Sequence, residues 1–309
     1  MRLRETDRVR RFRVAEDGIR DVAHRSCATP AFSLIACDTV LTTMRDTIHF
    51  SHANGFPAEC YAKLFGCLID RFEIGYINTI GHDPRYPVTD NWPRLVEELI
   101  DRITRRYRKK VIGVGHSLGG YLTFMAAMER PELFKAIVLL DAPLISYLKS
   151  RGLEMTKRIG IIDRITPAGS TRNRRREWDS EAQALAHFRH RGPFRQFDPE
   201  CLADYVRHGM VEEGGKLRLL FDPEIEYRIY RTIPHHFADY KVPLGVPAGF
   251  VGGRDSEEVR RVGLSMMKRR HHFRFKRIEG THLFPFEHPE ATAEAIGEMV
   301  DRVIEDPGF

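Results

Sequence analysis

Cysteine is scarce in this sequence, and its spacing excludes more than its number does. Cys27, Cys37, Cys60, Cys67 and Cys201 form an odd set with no C-x-x-C pair and no Cys/His ligand pattern. Neither a disulfide framework nor a metal site is therefore expected, and a reducing, cytoplasmic setting is. Long apolar runs are also missing, and none approaches the ~20 residues that cross a bilayer. The arginines near the N-terminus lack a following apolar segment, so they do not read as a secretory signal. No internal repeat or low-complexity tract stands out. Neither sign of charge dominates: 49 Lys and Arg against 43 Asp and Glu leave a net +6 over 309 residues. That excess gathers in the N-terminal arm and around Arg172 to Arg191. No nucleic-acid-binding motif accompanies it, so a nucleic-acid partner is not expected.

What is there is an ordinary globular composition, 42% hydrophobic and 30% charged, long enough for one large α/β domain with an insertion. Residues 1–30 are Arg-rich without sustained period and read as a flexible arm. Phe32 to Thr43 suits an edge strand. From Thr47 the chain alternates apolar strands with amphipathic helices: a strand through Ala53, a helix with Tyr61, Leu64, Phe65 and Leu68 on one face, and a strand from Phe72 to Asn78. A helix then opens at Asp90-Asn91-Trp92-Pro93, a capping residue followed by proline near the first turn. Phe134 to Leu140 is another apolar strand, ending in Asp141. This rhythm predicts a parallel sheet covered on both faces. It stops at about residue 144 and returns near 241. The organisation read is a core of 31–143 and 241–309 and a helical cap of 144–240, with helices over Glu181 to Phe188 and Pro199 to His208. Phe188, Phe194, Phe197 and Tyr205 are divided between facing a substrate and holding the cap together.

The chemistry centres on Val111-Ile112-Gly113-Val114-Gly115-His116-Ser117-Leu118-Gly119-Gly120. A strand runs into a Gly-x-Ser-x-Gly turn, and a helical pattern follows at once; that is the context a nucleophile elbow requires. A serine hydroxyl needs a base in reach and an acid to orient that base. His282, in Gly280-Thr281-His282-Leu283, follows the last strand. Asp255, in Gly252-Gly253-Arg254-Asp255, follows the strand before it. Both fall at the sheet edge where Ser117 stands. Asp141, which also ends a core strand, is the alternative acid. His288 competes with His282 but stands at a helix start. His235-His236 and His271-His272 lack partners at metal spacing and read as surface residues.

These motifs, with His52-Ala53-Asn54-Gly55-Phe56-Pro57, resemble the α/β-hydrolase superfamily, in particular its capped esterase-like and epoxide-hydrolase-like members. The resemblance spans about Thr47 to Pro143 and Val246 to Ile304. It implies an α/β-hydrolase fold and a Ser-Asp-His order of Ser117, Asp255 and His282. It also implies an oxyanion hole made of the N–H groups of Leu118 and of a residue in the Asn54 to Phe56 loop, Phe56 being the choice. His52, Asn54, His116 and Trp92 are candidates for lining the pocket. Epoxide hydrolases and haloalkane dehalogenases carry an aspartate as nucleophile, so Ser117 points to acyl transfer. The expected activity is hydrolysis of a carboxylic ester or thioester of a mid-sized apolar acid, a small-molecule substrate, with no cofactor and no metal. An acyltransferase, perhydrolase or C–C bond hydrolase could use the same residues, because function lives in the site grafted on the fold. A non-catalytic binding protein retaining the pocket is the reading of another class.

Overall fold

The computed structural model describes residues 45–172 and 174–306. The expected arm of residues 1–30 and the expected edge strand at Phe32 to Thr43 lie outside the described residues. Within residues 46–306 the strands β1 (Thr47–Ser51), β2 (Glu73–Tyr76), β3 (Val111–His116), β4 (Phe134–Leu140), β8 (Ala248–Gly253) and β9 (Arg274–Ile278) make one sheet in the order β2-β1-β3-β4-β8-β9. Every pairing in it is parallel.

Two apolar layers cover this sheet, and strand alternation decides which side chain enters which layer. Ala136, Val138 and Leu140 of β4 join α1 (Ala62–Leu68) and α13 (Pro289–Glu305) on one face. Ile137 and Leu139 join α2 (Pro93–Arg106) and α3 (Leu118–Glu129) on the other. A strand buried on both faces is apolar along most of its length, which is why β3 and β4 read as apolar runs, apart from His116 at the end of β3 and the exposed Lys135 near the start of β4.

Helix α2 starts as its proline demands but is capped differently from expectation. Trp92 is the N-cap, in a left-handed conformation (φ 62°), without a side-chain cap. Asn91, also left-handed at φ 63°, instead accepts the His235 N–H at 2.9 Å.

Between β4 and β8 lie α4 (Tyr147–Arg158), α5 (Ile162–Ile165), α6 (Ala168–Arg172), α7 (Glu181–Arg189), α8 (Pro199–His208) and α9 (Pro223–Arg231). The segment is not wholly helical, as its charge pattern had suggested. Strands β5 (Glu177–Trp178), β6 (Met210–Glu213) and β7 (Lys216–Leu219) form a three-stranded antiparallel sheet in the order β5-β7-β6. The hairpin closes through Gly214 (φ 60°) and Gly215 (φ 74°), between the paired residues Glu213 and Lys216. Two consecutive positive φ angles are what a two-residue hairpin turn of the right twist needs, and Gly-Gly supplies them. Two short helices, α10 (Glu257–Val262) and α11 (Ser265–Arg270), separate β8 from β9, and α12 (Phe284–Glu287) precedes α13.

Candidate active site

The turn from β3 into α3 puts Ser117 at φ 51°, ψ −114°, a backbone state that a residue with a side chain occupies only when its surroundings force it. Two glycines make that turn possible. A Cβ on Gly115 would lie 2.3 Å from the Gly119 carbonyl oxygen, and one on Gly119 would lie 2.0 Å from that of Ser51. The Gly119 N–H donates to the His52 carbonyl at 3.1 Å, which draws the loop after β1 against the start of α3.

Ser117 Oγ stands 2.9 Å from His282 Nε2, and His282 Nδ1 stands 2.8 Å from Asp141 Oδ2. Nδ1 therefore carries the proton donated to the carboxylate, leaving Nε2 free to accept from the serine hydroxyl. The expected partner of His282 was Asp255, and that expectation is corrected. Asp255 is exposed, its N–H donates to the Gly280 carbonyl at 3.0 Å, and Asp141 fills the place beside the imidazole. The loop after β8 serves Asp141 instead of supplying the acid. The Gly253 N–H donates to Asp141 Oδ1 at 2.9 Å, and the Ser256 hydroxyl donates to Oδ2 at 2.5 Å. Asp141 is 1% exposed, so these donors replace the water that burial removes.

Burial alone would lower the affinity of His282 for a proton, but the hydrogen bond and charge of Asp141 outweigh it. With Glu258 and Glu287 adding to that field, the imidazole is held above its ordinary value. Glu258 comes within 3.7 Å of Nδ1. The ligand-type atoms of Asp141, Glu258 and His282 lie within 4.8 Å of one another, a grouping that could also receive a cation. The loop carrying His282 is clamped by buried Glu287, which accepts from the Thr281 N–H at 2.7 Å and from the Thr281 hydroxyl.

Neither flanking histidine lines the site. His116 is fully buried behind it, in a chain whose every proton is fixed by its ends. The Ala53 N–H donates to Tyr61 Oη at 3.2 Å, the Tyr61 hydroxyl donates to His116 Nδ1 at 2.7 Å, and His116 Nε2–H donates to the His282 carbonyl at 2.8 Å. The chain works only with a neutral His116, and burial pushes its pKa down to about 3. His52 is held likewise: Nδ1–H donates to the Ala53 carbonyl and Nε2 accepts the Ile80 N–H, each at 2.8 Å. Burial lowers its pKa to about 4. Trp92 is buried among core residues, and its indole N–H donates to Ile229 and Thr232 at the end of α9. It joins two elements and stands apart from Ser117 and His282 in every recorded contact.

The loop after β1 also departs from expectation. The Phe56 N–H is committed to the Ala53 carbonyl at 3.1 Å. Among the described residues, no acceptor is recorded for the N–H groups of Asn54 and Leu118, which flank the junction of this loop with α3. The Phe56 ring packs within 5.0–6.2 Å, between centroids, of Phe194, Phe197, Tyr205 and Phe286, an aromatic wall that also holds α8 to the sheet domain. Tyr61, Ser256, Glu258 and Glu287 were not singled out from sequence. Tyr61 looks there like one more apolar-face residue, and the others like loop and helix-start polars.

A sequence model described as the alpha/beta hydrolase family matches residues 50–295. No curated protein matches. Among solved structures, E-2-(acetamidomethylene)succinate hydrolase superposes with a TM-score of 0.65 at 21% identity, covering 83% of this chain and 91% of that one. An esterase of M. tuberculosis gives 0.64 at 21% identity, covering 83% and 86%. The thioesterase domain from the curacin biosynthetic pathway gives 0.62 at 14%, covering 82% and 91%. At such identities the likeness is one of fold.

Proposed function

The chain belongs to the alpha/beta hydrolase family, and we propose that within it this protein is a serine hydrolase that cleaves a carboxylic ester or thioester through an acyl-enzyme on Ser117. The observation that carries the reading is the line Ser117 Oγ, His282, Asp141, with successive hydrogen bonds of 2.9 and 2.8 Å. Ser117 attacks the carbonyl carbon while His282 Nε2 takes its proton. Asp141 fixes the tautomer and stabilises the imidazolium that forms. The oxyanion is received by the N–H groups of Leu118 and Asn54, the latter in place of Phe56, whose N–H is already used. One such donor is worth ~2.7–4 kcal/mol in the transition state. His282 then passes the proton to the leaving oxygen or sulfur, and water releases the acyl group by the same steps reversed. None of these steps calls for a metal or cofactor. Residues 144–240 act as the cap, with the aromatic wall around Phe56 bounding an apolar side of the acyl pocket.

The test is release of p-nitrophenol from p-nitrophenyl acetate, with Ser117→Ala as control. Turnover by the parent chain and none by the variant supports the reading. Equal rates would refute it.

A further inference from the structure

Asn54, Gly55 and Phe56, in the loop after β1, each meet the segment between β4 and β8. The Asn54 Nδ2–H donates to the Glu226 carbonyl, on α9, at 3.0 Å. The Glu226 carboxylate lies against Gly55, so close that a Cβ there would be 2.7 Å from Oε1. The Phe56 ring packs on Tyr205 of α8, with centroids 5.4 Å apart. One residue, Glu226, thus engages two consecutive loop residues, the first through its main chain and the second through its carboxylate.

Glu226 is itself fixed in place. It is 5% exposed, and Arg174, just after α6, brings Nη2 to 3.0 Å from Oε2 and Nη1 to 3.4 Å from Oε1. The Tyr205 hydroxyl is a second partner of Arg174. A buried carboxylate without that guanidinium would bear its desolvation unopposed, so the pair keeps the side chain seated on Gly55. The other oxyanion donor has no such dependence. The Leu118 N–H belongs to a turn held by the Ser117 N–H on the Leu140 carbonyl at 3.0 Å and by the Gly119 N–H on the His52 carbonyl at 3.1 Å. Both of those bonds lie within the main sheet, its loops and α3.

We infer that Glu226 is a positioning residue for the oxyanion hole: its carbonyl and carboxylate fix Asn54 and Gly55 in place, and so set the aim of the Asn54 N–H. The inference rests on the serine-hydrolase reading for the identity of the donors, but not for the seat itself. The hole is then half a property of the sheet and half a property of the segment between β4 and β8. Contacts that a substrate makes with α8 or α9 therefore bear on turnover as well as on binding.

Two variants separate the two holds. Asn54→Ala deletes the amide tie and keeps the backbone N–H. Arg174→Ala with Glu226→Ala deletes the carboxylate seat without leaving a lone charge. Losing a whole oxyanion donor costs about 10²–10³ in kcat, so misaiming one should cost about tenfold to a hundredfold in each variant, with KM for p-nitrophenyl acetate unchanged. A tie that only fastened α9 to the sheet would lower the melting temperature and leave kcat alone. Amide exchange read by mass spectrometry gives an arm independent of turnover. Peptides covering residues 53–56 should exchange faster in both variants, and those covering the start of α3 should not. Unchanged exchange at residues 53–56, or unchanged kcat in the folded variants of an active parent, overturns the inference. If exchange changes as expected while the parent chain releases no p-nitrophenol, the seat stands and the hydrolase reading falls.

Discussion

Asp141 and His282 lie 141 positions apart in sequence and meet at 2.8 Å, with Asp141 held in a left-handed backbone (φ 46°) at the end of β4. The carboxylate is turned toward the imidazole by donors from the next strand's loop, Gly253 and Ser256. Asp141→Asn should keep that geometry and lower kcat by about 10⁴-fold, as loss of the orienting acid does elsewhere. Asp255→Asn, at an exposed position, should change it little. Steady-state kinetics on the two variants checks the pair, and a collapse in Asp255→Asn alone would return the acid to the loop after β8.

His282 is held above the ordinary histidine value, chiefly by Asp141 against the opposing effect of burial, with Glu258 contributing. Only the neutral ring can accept the Ser117 proton. Activity should therefore fall as pH drops through this raised value and recover above it. Glu258→Gln removes one charge that favours the imidazolium, so the acid-side inflection of kcat/KM should move to lower pH. An inflection that stays in place would show that Glu258 does not act on the ring.

Tyr61→Phe deletes the hydroxyl joining Ala53 to His116 and leaves a buried N–H and a ring nitrogen unpaired. Urea denaturation should register a loss of about 1–3 kcal/mol. Because the chain also grips the His282 carbonyl, kcat should fall more than KM rises. A loss of stability with unchanged kcat would make the chain a purely structural tie.

Gly119→Ala places a methyl 2.0 Å from the Ser51 carbonyl oxygen, backbone that cannot swing aside. Overpacking of this kind costs about 1–3 kcal/mol or more. Lower thermal stability and loss of the elbow conformation are expected, read by calorimetry and activity together. An unchanged melting temperature would mean that the elbow is looser than its glycines indicate.

Ser117 and His282 were legible in sequence because each sits in a local pattern: glycines around a serine between strand and helix, and a histidine in a loop after the last strand. The parallel sheet was legible because double burial leaves β3 and β4 apolar over consecutive positions, Val111–Gly115 and Ala136–Leu140. Asp255 ranks above Asp141 in sequence, and the structure reverses that order: Asp141 follows β4, Asp255 lies in the loop after β8, and what separates them is the aim of a side chain set by Gly253 and Ser256 from another strand. Within the Asn54 to Phe56 loop the sequence does not show which N–H the turn consumes; in the structure it is that of Phe56, bonded to the Ala53 carbonyl. The small sheet of β5, β6 and β7 left one signal, Gly214-Gly215, between charged segments that otherwise looked helical.

The central claim is that Ser117 is the nucleophile, and covalent labelling tests it most directly. The protein is incubated with a fluorophosphonate probe, digested, and the modified residue located by mass spectrometry. A single adduct on Ser117 is expected, absent from Ser117→Ala and slowed in Asp141→Asn. An adduct on another residue, or labelling that persists in Ser117→Ala, would contradict it.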